Sequence, residues 1–101
     1  MTEVELLEKV KKNIGLAGNT YHDDTIKGYI SEVKEFLLDA GVKQKVLDSS
    51  VSVGCISRGV NDLWNYGAGN ADFSPYFIKR AIQLTKKKES ELPESKEEAD
   101  V

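Results

Sequence analysis

The sequence predicts an all-α domain, a small bundle of about four helices, followed by a charged C-terminal tail. Apolar residues recur at spacings of three and four along most of positions 1 to 85, which is the repeat of an amphipathic helix. Alternation with a period of two, which would indicate a half-buried strand, never extends beyond a few residues. Polar caps and glycine stops divide the helical pattern into four long segments.

The first predicted helix covers about residues 2 to 14. Thr2 and Glu5 have the spacing of a capping box, and Gly15 provides a stop. Its predicted inward stripe is Val4, Leu7, Val10 and Ile14.

The second predicted helix begins at Asp23 and Asp24, whose carboxylates favour the positive end of a helix dipole. It runs to Ala40 and ends at Gly41, and a short turn follows at residues 44 to 47. Its predicted buried residues are Ile26, Tyr29, Ile30, Val33 and Leu37.

The third predicted helix spans about residues 51 to 66, after candidate caps at residues 48 to 50. Gly54 and Gly59 each cost about 1 kcal/mol relative to alanine inside a helix, so we expect another helix to approach closely there. The predicted core face is Ile56, Val60, Leu63 and Trp64, and the predicted polar face is Arg58, Asn61, Asp62 and Asn65.

A Gly-rich loop from Gly67 to Phe73 separates the third helix from the fourth, and its GAGN string is also compatible with a short hairpin. Ser74 and Pro75 supply a hydroxyl cap and a proline suited to a first helical turn. The predicted buried residues of the fourth helix are Phe77, Ile78, Ala81 and Ile82.

The segment from Lys86 to Val101 is a predicted flexible tail with four lysines and six acidic residues. Its apolar content is too low to offset the entropy of ordering, so we place the domain boundary at residue 85. The tail is either a solvated end without a role or a segment that folds onto a partner.

The composition limits the classes to which the chain can belong. A domain of 101 residues buries only roughly 60–65% of its unfolded surface, so contact with other subunits would help to stabilise it. The net charge of −3 argues against a dedicated nucleic-acid binder. Signal peptides and membrane spans are not expected, because no apolar run approaches roughly 18 residues. The single cysteine excludes an internal disulfide and favours assembly in a cytosol.

Residues capable of chemistry are few and isolated. His22 has no second histidine or thiolate nearby, so we interpret it as an exposed neighbour of a helix cap rather than a metal ligand. Cys55 lies in a helix without an adjacent base and is interpreted as a small buried residue. The GAGNAD string lacks the lysine of a phosphate-binding loop. These observations predict no catalytic residue, no metal and no cofactor.

Polar and aromatic residues around the loop are better candidates for protein contacts. Arg58 and Asp62 are four residues apart, which allows an ion pair, either on the surface or buried between helices or subunits. The predicted interface set is Arg58, Asp62, Asn65, Tyr66, Gly67, Gly69, Asn70, Phe73 and Tyr76.

The string RGVNDLWNYGAGNADFSPYF at residues 58 to 77, followed by IKRAIQLT, resembles the small head–tail connector proteins of long-tailed bacteriophages. The earlier string YHDDTIKGYISEVKEFLLDAGV, after a helix ending in IGL, is similar to the opening segment of the same family. The resemblance covers about residues 5 to 85.

The resemblance implies a structural virion protein at the head–tail junction. Members of this family form a ring, typically of twelve subunits, beneath the portal protein. The ring extends the DNA channel and supports the next completion (stopper) protein and the tail. The resemblance implies no enzyme activity and no membrane contact. It also implies that the aromatic loop and the C-terminal segment change on docking, and the mild acidity suits a channel through which DNA slides without specific binding.

Two other classes stay open at this point. A small helical DNA-binding or regulatory domain could use a helix-turn-helix, with lysines at residues 86 to 88 touching phosphates. An enzyme would have to use His22, Asp23 and Asp24. Salt-dependent binding of duplex DNA would identify the first class, and metal binding the second.

Overall fold

The computed structural model describes residues 1–66 and 73–93, with the side chain of Tyr66 left out. The described residues confirm the predicted all-α class and contain no strand. The helices are α1 (Glu3–Asn13), α2 (Asp23–Asp39), α3 (Gln44–Asp48), α4 (Val53–Tyr66) and α5 (Pro75–Thr85), with 3-10 turns at Ser50–Ser52 and Glu89–Glu91.

Local capping chemistry sets several of the helix ends. The Thr2 hydroxyl accepts a hydrogen bond from the Glu5 amide at 3.1 Å, and the Ser74 hydroxyl accepts one from the Phe77 amide at 3.3 Å. Gly15 and Gly41 follow α1 and α2 with φ of +83° and +105°, values that L side chains rarely adopt. The four long helices therefore begin and end within a few residues of their predicted bounds.

Helix α4 is the centre of the bundle and packs against α1, α2 and α5. One continuous core fills the space between them, and all but a few of the predicted core residues belong to it. The fully buried side chains include Val10, Ile26, Val33, Leu37, Val46, Leu47, Cys55, Ile56, Val60 and Phe77, while Ile30 and Leu63 are nearly so.

Gly59 is the point of closest approach between α4 and its neighbours. A Cβ atom added there would lie 2.9 Å from both methyl groups of Val33 and from the Phe77 ring. This confirms the predicted close approach at Gly59. The same prediction is wrong for Gly54, which is exposed and has nothing within 4 Å of the position of a Cβ.

Three residues predicted to be buried are exposed. Ile78 and Ile82 are 37% and 51% exposed because α5 packs mainly against α4, and only the narrow stripe through Phe77, Ala81 and Leu84 is covered. Val4 is 70% exposed because it lies in the first turn of α1, at a shallow groove between α1 and α2.

The start of α4 also differs from the prediction. Residues 50 to 52 form a separate 3-10 turn, in which the buried Ser52 hydroxyl donates to the Leu47 carbonyl at 2.7 Å. This bond ties the turn to α3, so the long helix begins two residues later than predicted.

The packed part of the chain continues beyond the predicted boundary at residue 85. Leu92 is 3% exposed and belongs to the core, and Glu89 lies 4.0 Å from Lys45 of α3. Residues 86 to 93 therefore return along the domain. The rest of the predicted tail, residues 94 to 101, lies outside the described residues. Across the described ranges, no helix is long and apolar enough to cross a bilayer.

Candidate functional site

A polar cleft lies where the solvent-facing side of α4 meets the start of α5. It consists of two adjoining depressions that share Arg58 and Asn61. We call it the Arg58 cleft. Its other polar lining residues are Asn13, Ser57, Asp62, Asn65, Ser74 and Tyr76. The structure thus brings together Arg58, Asp62, Asn65 and Tyr76 of the predicted interface set, and Phe73 lies at its edge.

Arg58 and Tyr76 form the exposed part of the cleft. The guanidinium carbon of Arg58 lies 5.1 Å from the centre of the Tyr76 ring, a cation–π contact of about 0.5–1 kcal/mol at an exposed site. Tyr76 is 63% exposed. In the described part of the chain, Arg58 has no hydrogen bond or ion pair, so its five N–H donors point to solvent or to a partner.

Asp62 forms the buried wall of the cleft and holds α5 in place. Asp62 is 4% exposed, and one of its carboxylate oxygens accepts a hydrogen bond from the Ser74 amide at 3.0 Å. Ser74 in turn caps α5. Within this chain the Arg58–Asp62 ion pair is not formed, because Asp62 is bonded to the cap of α5 and Arg58 lies over Tyr76. A pair buried between subunits stays a prediction.

An aromatic cluster of Phe36, Phe73 and Phe77 packs beneath the cleft. The ring centres of Phe73 and Phe77 are 4.4 Å apart, and those of Phe36 and Phe73 are 4.9 Å apart. Phe73, predicted to contact partners, is half-buried and packs against the core. The cluster fixes the position of α5 and therefore that of Tyr76.

A second aromatic group lies near the C-terminal end of α4. The His22 ring makes edge contacts at 4.8 Å with both Tyr21 and Trp64. His22 was predicted to be exposed, but it is half-buried. Trp64 was predicted to be core and is also half-buried. These contacts hold the loop that precedes α2 against α4.

Sequence reasoning missed a buried ion pair between α1 and α2. The Lys11 side chain is 1% exposed, and its Nζ lies 2.9 Å from a carboxylate oxygen of Asp23. Hydrogen bonding to Asp23 raises the pKa of Lys11 above its ordinary value of 10.5, against the opposing effect of burial. The only signal in the sequence is that Lys11 follows Val10 on the inward side of α1, where a lysine needs a partner.

The only cysteine and the possible metal ligands do not form a reactive site among the described residues. Cys55 is fully buried, and burial raises the pKa of its thiol to about 11, so it is protonated at neutral pH. Among the described residues, no group of three or more His, Cys, Asp or Glu side chains could hold a metal ion. The Tyr66 side chain, Gly67, Gly69, Asn70 and the proposed hairpin lie outside the described residues.

In comparisons with known proteins, no family model, no curated protein and no solved structure matches the chain.

Proposed function

We propose that this chain is a structural head–tail adaptor of a tailed bacteriophage. In this proposal it forms a ring under the portal vertex, extends the DNA channel and carries the next completion protein and the tail. The observation that carries the proposal is the Arg58 cleft. Four polar residues of the 58–77 string, Arg58, Asn61, Asn65 and Tyr76, line one accessible surface there, where a guanidinium without an ion pair among the described residues lies beside an exposed tyrosine.

The chemistry of the cleft supports a protein partner. Arginine and tyrosine are enriched among the residues that carry most of the binding energy at protein interfaces. Arg58 can bind a carboxylate or a row of carbonyl groups through several N–H donors, while Tyr76 supplies rigid apolar area. The amides of Asn61 and Asn65 add donors and acceptors at the rim.

The architecture beneath the cleft supports a docking role as well. Because Asp62 and the phenylalanine cluster fix α5 to α4, Tyr76 is presented on a rigid base and loses little entropy on binding. We propose that the free subunit associates weakly and that the portal raises its local concentration, after which lateral contacts close the ring.

The proposal is tested by attachment of the purified chain to tail-less heads carrying the portal protein encoded in the same genome. Tyr76→Ala and Arg58→Gln should each reduce attachment strongly, because they remove the two central groups of the cleft. Tyr21→Ala is the matched control, since Tyr21 is also an aromatic residue, is 87% exposed and lies outside the cleft.

Normal attachment by both cleft variants, with helical circular dichroism intact, would remove the cleft from the docking surface. Failure of the unaltered chain to attach to any portal-bearing head would remove the proposed function. Binding of duplex DNA that falls steeply between 50 and 200 mM salt (about 10³–10⁵-fold for a protein with many phosphate contacts) would instead favour a DNA-binding domain.

A further inference from the structure

One exposed side of α5 combines apolar and basic residues. Ile78 and Ile82 are 37% and 51% exposed and lie four residues apart, so they are neighbours on one side of the helix. Lys79 and Lys86 are exposed beside them, seven residues apart. We call these four residues the basic stripe.

An exposed side of α2 has the complementary composition. Glu32, Glu35 and Asp39 are all exposed and spaced three and four apart, so they follow one another along the helix surface. Leu38 lies beside them and is 42% exposed. We call these four residues the acidic stripe.

The two stripes are similar in length and opposite in charge, and no ion pair among the described residues involves either of them. The first and last charged residues of each stripe are seven positions apart, Glu32 and Asp39 in one and Lys79 and Lys86 in the other, which corresponds to about 10 Å along a helix. The ion pairs of the described residues involve none of the five charged groups. Each stripe therefore presents unpaired charge next to exposed apolar area, and the two differ in the sign of the charge.

We propose that the basic stripe of one copy packs against the acidic stripe of the next copy. This inference rests on the proposed ring, for which it supplies the lateral contact. Contact between two identical stripes would place like charges together, so association has to join different surfaces. Repeated joining of two different surfaces generates a closed ring when the rotation between copies is suitable.

The contact is expected to be weak in free solution. Exposed ion pairs contribute little each, and only Ile78, Ile82 and Leu38 add exposed large apolar area. Covalent trapping therefore suits the test better than an equilibrium measurement. Full-length Ile82→Cys is mixed with full-length Leu38→Cys under mild oxidation, and the native Cys55 does not interfere because it is fully buried.

The mixture should yield cross-linked heterodimer several-fold above a control mixture of Val4→Cys with Leu38→Cys. Val4 is the matched control because it is 70% exposed and apolar but lies outside both stripes. The yield should fall to the control level in 1 M NaCl, where the Debye length is about 3 Å. A yield at the control level in low salt overturns the proposal.

A charge exchange tests the pairing itself. Adding Lys79→Glu and Lys86→Glu to the Ile82→Cys chain should abolish the excess heterodimer. Adding Glu32→Lys and Asp39→Lys to the Leu38→Cys chain as well should restore it. Reversing the charges of two lysines on α1, by Lys9→Glu and Lys12→Glu, should have no effect on the yield of heterodimer. Failure of the exchange to restore the yield, with all variants folded, overturns the charge pairing.

The last experiment distinguishes head-to-tail association from a closed dimer. A single chain carrying both Leu38→Cys and Ile82→Cys should give a ladder of trimers and larger species on oxidation. Products that stop at the dimer overturn the head-to-tail arrangement. All these readouts use the purified chain alone, so they can fail while attachment to portal-bearing heads succeeds, or succeed while attachment fails.

Discussion

The two faces of α4 belong to one helix but have opposite properties. The face through Cys55, Gly59 and Leu63 is buried against α2 and α5, and at Gly59 even a single methyl group has no room. The other face carries Arg58, which is exposed and unpaired within the described residues, with Asn65 beside it. The buried face determines the fold, while the exposed face contributes little to stability and is free to bind.

The largest expected difference in stability is between two neighbouring residues of α5, one of which is buried and the other exposed. Phe77 is fully buried and packs against Phe36, Phe73 and Gly59, so Phe77→Ala should lower the free energy of unfolding by about 3–5 kcal/mol. Tyr76→Ala should change it by no more than about 1 kcal/mol, mainly through the lost Arg58 contact. Urea denaturation followed by circular dichroism measures both. Equal losses would contradict the division into two faces.

Asp62 lies between the two faces, and its removal should have an intermediate effect. Asp62→Ala leaves the Ser74 amide without its acceptor at the cap of α5, which should cost about 1–3 kcal/mol. Asn65→Ala is the control on the same helix, and as an exposed site it should stay within about 0.5 kcal/mol. Hydrogen exchange at the Ser74 and Phe77 amides should increase only in the Asp62 variant.

The two glycines of α4 provide a comparison with opposite signs. Gly59→Ala should destabilise the domain by about 1–2 kcal/mol, because forcing the methyl group against Val33 and Phe77 outweighs the gain in helix propensity. Gly54→Ala meets no neighbour and should stabilise it by up to about 1 kcal/mol. The midpoints of thermal unfolding should therefore move in opposite directions. A shift of the same sign for both variants would contradict the close approach at Gly59.

A further expected effect is a pH dependence that comes from the buried face. The pKa of Cys55 is raised from 9.0 to about 11 in the folded state, so the protonated thiol supports stability fully below pH 9.0, and this support is lost as the pH rises to about 11. Cys55→Ala should remove this loss. The raised pKa of Lys11 produces a separate loss that begins above 10.5 and persists in the variant. Urea midpoints across this range measure both.

Features determined by neighbouring residues were predictable from the sequence. Thr2 and Ser74 were identified as caps because a hydroxyl at that position bonds an amide three residues later. The approach at Gly59 was predicted because a mid-helix glycine needs compensation. The same reasoning was wrong for Gly54, since it does not distinguish a glycine at a contact from one near an exposed helix start.

Features determined by residues distant in sequence were not predictable. Periodicity showed that α5 is amphipathic but not how wide a stripe its neighbours cover, so Ile78 and Ile82 were wrongly assigned to the core. The acceptor role of Asp62 requires Ser74, twelve residues later, to return to α4. The Lys11–Asp23 pair likewise depends on a loop that brings the two residues together.

The burial of Leu92 determines where the chain can be shortened. Cutting after Thr85 would strip this leucine from the domain and expose apolar surface to solvent, so such a version would tend to aggregate and its loss of any activity would be uninformative. Cutting after Pro93 keeps the leucine in place. Purification tags and fluorescent labels at the C-terminal end therefore belong beyond Pro93.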